Sequence, residues 1–240
     1  LEQLSGKKMI KYVDKYIDLL KNIRNFLVRY KISSRLSKKN IRANPENQSL
    51  KVYLGKESNI SLDLDNWGKD NVWIEIEYFL ANKSGKVLDM CCGSGGTIRA
   101  LQKLKNIDIH GFDISEELIK VGINSGISQN KMLVLDATNT NYQDKEFDFS
   151  YSIGSLEHFT IEGIEDFLKE TKRITKSISF HQIPIAKDEN FEGWLDLDQS
   201  YYNMKEDWWL VKFKKHYDNV HIIKSFWNDP ISNGRWFVCS

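Results

Sequence analysis

The sequence predicts an α/β fold, a doubly wound, mostly parallel sheet of about seven strands with helices on both faces and a helical extension at the N-terminus. Three observations carry this. Apolar runs that stop at an acid recur at Asp89, Asp113 and Asp136. Between them lie stretches with the three-and-four spacing of amphipathic helices. The first run breaks into a glycine-rich turn, Gly93-Ser94-Gly95-Gly96, where strand hands over to helix. Such alternation builds a parallel sheet that takes its ligands at the carboxyl ends of the strands.

With 240 residues, 41% of them hydrophobic, the chain has material for one substantial core. The expected organisation is a helical extension and arm over 1–65, then one domain over 66–240 with an insertion at 184–209. The formal net charge of +1 hides a polarity: residues 1–50 hold twelve Lys/Arg against four Asp/Glu, a segment charge of +8 that leaves −7 for the remainder. Three cysteines, two of them adjacent, make no disulfide framework, and no Cys/His spacing suits zinc, so a reducing cytoplasm and no metal are expected. No run approaches the roughly 18 apolar residues of a membrane span, and no signal-peptide core opens the chain. Its start at Leu1 suggests a longer parent.

Taken in order, Met9, Val13, Tyr16, Leu20, Ile23 and Leu27 mark an amphipathic helix, and residues 31–48 read as a polar, basic linker. Residues 66–80 read as a capped helix running into the Gly85-Lys86 turn. Strands follow at 86–90, 107–113, 131–136, 147–153 and 176–183, the last ended by Pro184. Helices begin at Ile98 and at Ser115, whose hydroxyl suits a cap, and a third spans 161–173. After some twenty irregular residues rich in acids and aromatics, a helix at 203–216 and strands at 219–226 and 235–239 close the chain.

Glycines at a strand-to-helix turn let the backbone approach a ligand closely. The turn lacks the Gly-Lys-Ser/Thr of a phosphate loop and the third spaced glycine of a dinucleotide fingerprint. Asp113, ending the second strand twenty-four residues after Asp89, stands where an acid of nucleotide-binding α/β folds takes ribose hydroxyls. As a set, Leu88-Asp89-Met-Cys-Cys-Gly93-Ser-Gly95-Gly, Asp113, Asp136 and Ser152-Ile-Gly-Ser-Leu-Glu-His158 resemble the motifs of class I S-adenosylmethionine-dependent methyltransferases, over roughly 85–183.

The resemblance implies a Rossmann-like fold with S-adenosyl-L-methionine as cofactor and S-adenosyl-L-homocysteine as product. It implies Asp89, Cys91, Gly93, Ser94 and Gly95 near the methionine portion, Asp113 and Ile114 at the ribose, and Asp136 and Ala137 at the adenine. Ser152 and Gly154 would run beneath the sulfonium, with Glu157 and His158 near the methyl, and Trp67 would close over the methionine end. His158 and His181 compete as the base that removes a proton from the acceptor, with Glu157 orienting it. Each histidine has a plainer alternative as a buried residue bonded to backbone. Cys91 and Cys92 read as small packing groups rather than nucleophiles. Some members bind a metal beside this Leu-Glu-His segment, but Gly154 stands where their extra acid would be.

Trp194, Tyr201, Tyr202, Trp208, Trp209 and Trp227, with Asp196 and Asp198, suit an acceptor pocket, although Trp208, Trp209 and Phe213 also suit simple helix packing. Ser179-Phe-His-Gln-Ile-Pro184 and Gly234-Arg-Trp-Phe-Val are similar to methyltransferases of bacterial surface-polysaccharide assembly. The expected activity is methyl transfer to a hydroxyl or amine of a small polar acceptor, a sugar or phosphorylated metabolite. Nucleic acid is disfavoured because Ser152-Ile-Gly-Ser155 lacks the Asn/Asp-Pro-Pro-aromatic motif, while the basic N-terminus keeps RNA as a second reading. A non-catalytic cofactor-binding subunit is the third.

Overall fold

The computed structural model describes residues 2–38, 69, 71–195 and 199–240. Two compact units divide the chain, Leu1–Ile41 and Arg42–Ser240. The first contributes one long helix, α1 (Glu2–Lys38), on which Tyr16, Ile23 and Phe26 are exposed. It runs beyond the expected start of the linker at residue 31, because no proline or glycine occurs between that residue and Pro45. The rest of that linker, the residues around Trp67, and Asp196 and Asp198 lie outside the described residues.

In the second unit, α2 (Val72–Leu80) is capped by Asn71, whose side-chain oxygen accepts from the Val72 N–H at 2.6 Å. It leads into β1 (Gly85–Met90), α3 (Gly96–Leu101), β2 (Ile107–Asp113) and α4 (Glu116–Asn124). The Ser115 hydroxyl caps α4 by accepting from the Leu118 N–H. Then come β3 (Met132–Val134), β4 (Phe147–Ile153), α5 (Ile161–Ile174) and β5 (Thr175–Ala186). A small pair, β6 (Gly193–Leu195) and β7 (Tyr201–Asn203), precedes α6 (Glu206–Lys214), β8 (Val220–Asn228) and β9 (Ser232–Cys239).

Among the described residues the main sheet has seven strands in the order β3-β2-β1-β4-β5-β9-β8. The first five are parallel, and β9 lies antiparallel to both its neighbours. This is the predicted doubly wound, mostly parallel fold. The order reverses between β1 and β4, so a crevice is expected outside the carboxyl ends of those strands.

Alternate residues of each strand feed two cores. Val87 and Trp236 join Val72, Ile76, Ile98 and Ile119 under α2, α3 and α4. Leu88 and Phe237 join Ile164, Phe167, Trp209 and Phe213 under α5 and α6. Phe213 stacks on Phe237 with ring centres 4.6 Å apart, so Trp209 and Phe213 are packing residues, each such side chain adding roughly 2–3 kcal/mol by burial.

Several strand ends depart from expectation: β3 stops at Val134, short of Asp136, and β8 runs past 226 to Asn228. β5 does not stop at Pro184 but continues to Ala186, with Pro184 opposite Gly234 of β9. Ala186 N donates to Met204 O, and strand alternation turns the Pro184 nitrogen to that same side, where β4 has already ended at Ile153. The missing N–H therefore costs the ladder nothing there.

Candidate active site

Asp89 and Asp113 lie near the carboxyl ends of adjacent strands and point to the same face of the sheet, Asp89 in register with Gly111 of β2 and Tyr151 of β4. Asp89 is 4% exposed, and burial drives its carboxyl well above the usual range, with the Asp113 charge adding to the effect. The Tyr151 hydroxyl beside it opposes that rise but makes no aligned hydrogen bond. Asp113 is also raised by burial, against which the backbone N–H groups of Ser115 and Gly93 work, each donating to one of its oxygens at 2.9 Å. Asp136 stands two residues beyond the end of β3, exposed, with one oxygen accepting from the Thr138 N–H and hydroxyl at 2.8 and 2.7 Å. Ile114 is exposed beside Asp113, and Ala137 is buried beside Asp136.

The intervening loop is held in left-handed backbone, with φ of 60° at Cys91, 54° at Gly93 and 75° at Gly95. Cys92 N donates to Phe112 O at 2.8 Å and ties the loop to β2. A side chain at Gly95 would strike Ile127 and Met132, so that glycine serves packing. At Gly93 nothing lies within 4 Å of where a Cβ would stand, so that glycine leaves room above the loop. Ser94 is buried, its carbonyl accepting from the Arg99 guanidinium at 2.8 Å. The helix α3 is only six residues long and has no side-chain cap.

On the other side of the switch point, Gly154 adopts a φ of 59° and donates to Gln182 O at 3.2 Å. The turn that follows carries Glu157 and His158. Glu157 is 4% exposed, its Oε2 has no partner, and burial pushes its carboxyl up to about 8. His158 donates from Nδ1 to Ser200 O at 2.7 Å, and burial pulls it down to about 4, so it is neutral at physiological pH.

His181 and Ser152 are paired across β4 and β5 on the face opposite Asp89. The Ser152 hydroxyl bonds His181 Nδ1 at 2.9 Å, both residues are fully buried, and Phe167 and Phe213 flank the imidazole. Burial pulls His181 down to about 3. The structure therefore separates the two candidate bases: His158 lies at the strand-end turn, whereas His181 is a core residue among aromatic rings. Ser152 likewise gives its side chain to the core, so only its backbone reaches toward the edge. Trp67 lies outside the described residues.

Two polar groups escaped the sequence reading. Gln182 is 1% exposed with neither side-chain polar atom partnered, and Tyr151 has an unpartnered hydroxyl. Strand alternation was the available signal for Gln182, since it turns Gln182 to the Asp89 face wherever His181 turns to the other. Among the described residues no group of three or more His, Cys, Asp or Glu side chains is arranged to hold a metal ion.

Residues 87–177 match the family model described as a methyltransferase domain. The fold is the class I methyltransferase fold. A phosphoethanolamine N-methyltransferase from Haemonchus contortus, solved with phosphomonomethylethanolamine and S-adenosylhomocysteine, superposes with a TM-score of 0.60 at 14% identity, over 75% of this chain and 56% of that one. Among curated proteins, an ajmaline N-methyltransferase from Rauvolfia serpentina is 33% identical over 40% of this chain and 34% of its own length. A demethylmenaquinone methyltransferase from Staphylococcus carnosus is 34% identical over 39% and 40%. The chain thus spans well under half the length of the curated relatives it matches. No helix among the described residues is long and apolar enough to cross a membrane.

The residues present fit S-adenosylmethionine. The open space at Gly93 admits a ligand against the loop backbone, and carboxylates at two adjacent strand ends suit hydroxyl and ammonium donors.

Proposed function

We propose that the protein transfers a methyl group from S-adenosylmethionine to a hydroxyl or amine of a small polar acceptor. The observation that carries this reading is the pairing of the open Gly93 loop with the Asp113 carboxylate, which accepts from that loop at 2.9 Å. When bound, the cofactor supplies an already activated methyl group, so the protein's task is alignment and proton removal.

In this reading Asp89, Cys91, Gly93, Ser94 and Gly95 form the methionine end, Asp113 and Ile114 the ribose contact, and Asp136 and Ala137 the adenine end. Asp136 is exposed, and with one oxygen held by Thr138 its other oxygen can accept from an adenine amino group. Gly154 and Glu157 face the acceptor side. His158 is the better placed base, lying at the strand-end turn and held by the backbone of Ser200 and Gly154. His181 acts from the core by holding Ser152 and β4 in place. The 184–209 insertion, which supplies β7 next to the Glu157 turn, forms the acceptor wall, and residues 1–65 are an extension of the domain.

A sugar fits better than a phosphorylated metabolite. Among the described residues Asp89, Asp113, Asp136 and Glu157 form no ion pair with a lysine or arginine that could take a phosphate instead. The likeness of residues 179–184 and 234–238 to surface-polysaccharide enzymes favours the same choice. Incubation with methyl-labelled S-adenosylmethionine and a fractionated cell extract tests the reading: label in a small molecule is expected, and label found only in RNA would replace it with the second reading.

A further inference from the structure

Glu157 is an acid without a counter-charge. It lies in the turn after β4, 4% exposed, with Oε2 unpartnered and only its own backbone N–H favouring the charged form. Its turn packs against β5, β7 and α5, and three groups act on it or its neighbour electrostatically or by ring contact. On its own turn is the neutral His158, from β7 comes Tyr201, and from the β1 loop comes Cys91. None of them brings positive charge at neutral pH.

The wider field is negative as well. After burial itself, the largest influences on the Cys91 thiol are the charges of Asp113, Asp89, Asp136 and Glu157, every one of which raises it. S-adenosylmethionine carries a sulfonium and an ammonium against one carboxylate, so its binding leaves negative charge over. A buried carboxyl facing this excess holds its proton unless something positive arrives. Tyr201 adds an aromatic ring on that side, 6.1 Å from the His158 ring centre, and aromatic faces attract cations.

Resting on the methyltransferase reading above, we propose that the acceptor is an amine, an amino sugar or another small polar amine, which enters as its ammonium ion and is held by Glu157 beside Tyr201. A neutral hydroxyl gives the Glu157 carboxyl no cation to pair with, and a phosphate finds no positive group among the acids that line this side. The raised position of Glu157, up to about 8, adds a signature: at neutral pH the carboxyl starts protonated and gives up that proton as the ammonium binds.

The test uses protein saturated with S-adenosylhomocysteine and three matched pairs, glucosamine with glucose, tyramine with tyrosol, and ethanolamine with ethylene glycol, together with glucosamine 6-phosphate. Calorimetric titration at neutral pH in buffers of different ionisation heat reads affinity and proton release together. At least one amine is expected to bind about tenfold or more tighter than its hydroxyl partner and to release about one proton. Glucosamine 6-phosphate should bind more weakly than glucosamine, and Glu157→Gln should abolish both the preference and the proton release. Equal binding within every pair, no binding by any amine, or proton release that persists in Glu157→Gln overturns the proposal. Failure of S-adenosylhomocysteine itself to bind instead overturns the methyltransferase reading beneath it.

Discussion

The Asp113 carboxylate at the end of β2 accepts the Gly93 backbone N–H at 2.9 Å, while its second oxygen accepts the Ser115 N–H at the same distance. One acid thus pins the glycine loop on one side and the start of α4 on the other. Its burial raises the carboxyl, so part of the gain from these bonds is spent on desolvation. Asp113→Ala should lower the unfolding free energy by about 2 kcal/mol, read from urea denaturation. A loss below about 0.5 kcal/mol would show that the loop holds its shape without the acid.

Cys91 departs from ordinary backbone preference. A φ of 60° costs a residue with a Cβ about 1 kcal/mol or more, and glycine nothing. Cys91→Gly should therefore be more stable than Cys91→Ala by about 1 kcal/mol, the reverse of the usual order for these two residues. Thermal melts of the two variants decide it.

Glu75, on α2, gathers three donors from the far edge of the sheet: the Ser225 hydroxyl and the Trp236 indole N–H, each at 2.7 Å, and the Phe226 backbone N–H. Removing the acceptor strands all of them in a mostly buried place. Glu75→Ala should cost about 3 kcal/mol or more and shift the Trp236 emission to the red, whereas Glu75→Gln should recover part of the loss.

Much of this architecture was legible in the sequence. Asp89, Asp113 and Asp136 marked the strand ends to within two residues, because a carboxylate in a strand buried on both faces loses its water. Pro184 misled because a proline ends a central strand only where its nitrogen faces a paired neighbour, and that depends on where β4 stops. His181 was ambiguous for a similar reason: strand alternation says that it opposes Gln182, but not which of the two faces the core under α5. Glu75 was hidden because its partners lie some 150 residues away.

The two buried histidines govern stability in acid. His158 and His181 sit at about 4 and about 3 in the fold against 6.5 when unfolded, so only the unfolded chain takes up their protons in that interval. Stability should fall as pH drops from 6.5 toward 4, by up to about 1.4 kcal/mol per pH unit for each histidine. Glu157 acts in the opposite sense: raised from 4.5 to about 8, it favours the fold at low pH and loses that contribution as pH rises toward 8. Glu157→Gln should accordingly flatten the stability curve between pH 6.5 and 8 and steepen the acid limb between 6.5 and 4.5, where Glu157 offsets one of the histidines, as measured by denaturation across pH.

The central claim is that these strand ends form a pocket for S-adenosylmethionine, and calorimetric titration of the cofactor into wild type and Asp113→Ala addresses it most directly. The account predicts one saturable site in the wild type and an affinity at least about a hundredfold weaker in the variant, with a thermal melt showing that the variant remains folded. Equal affinity in the two proteins would contradict the pocket as drawn, and no binding to the wild type would contradict the function.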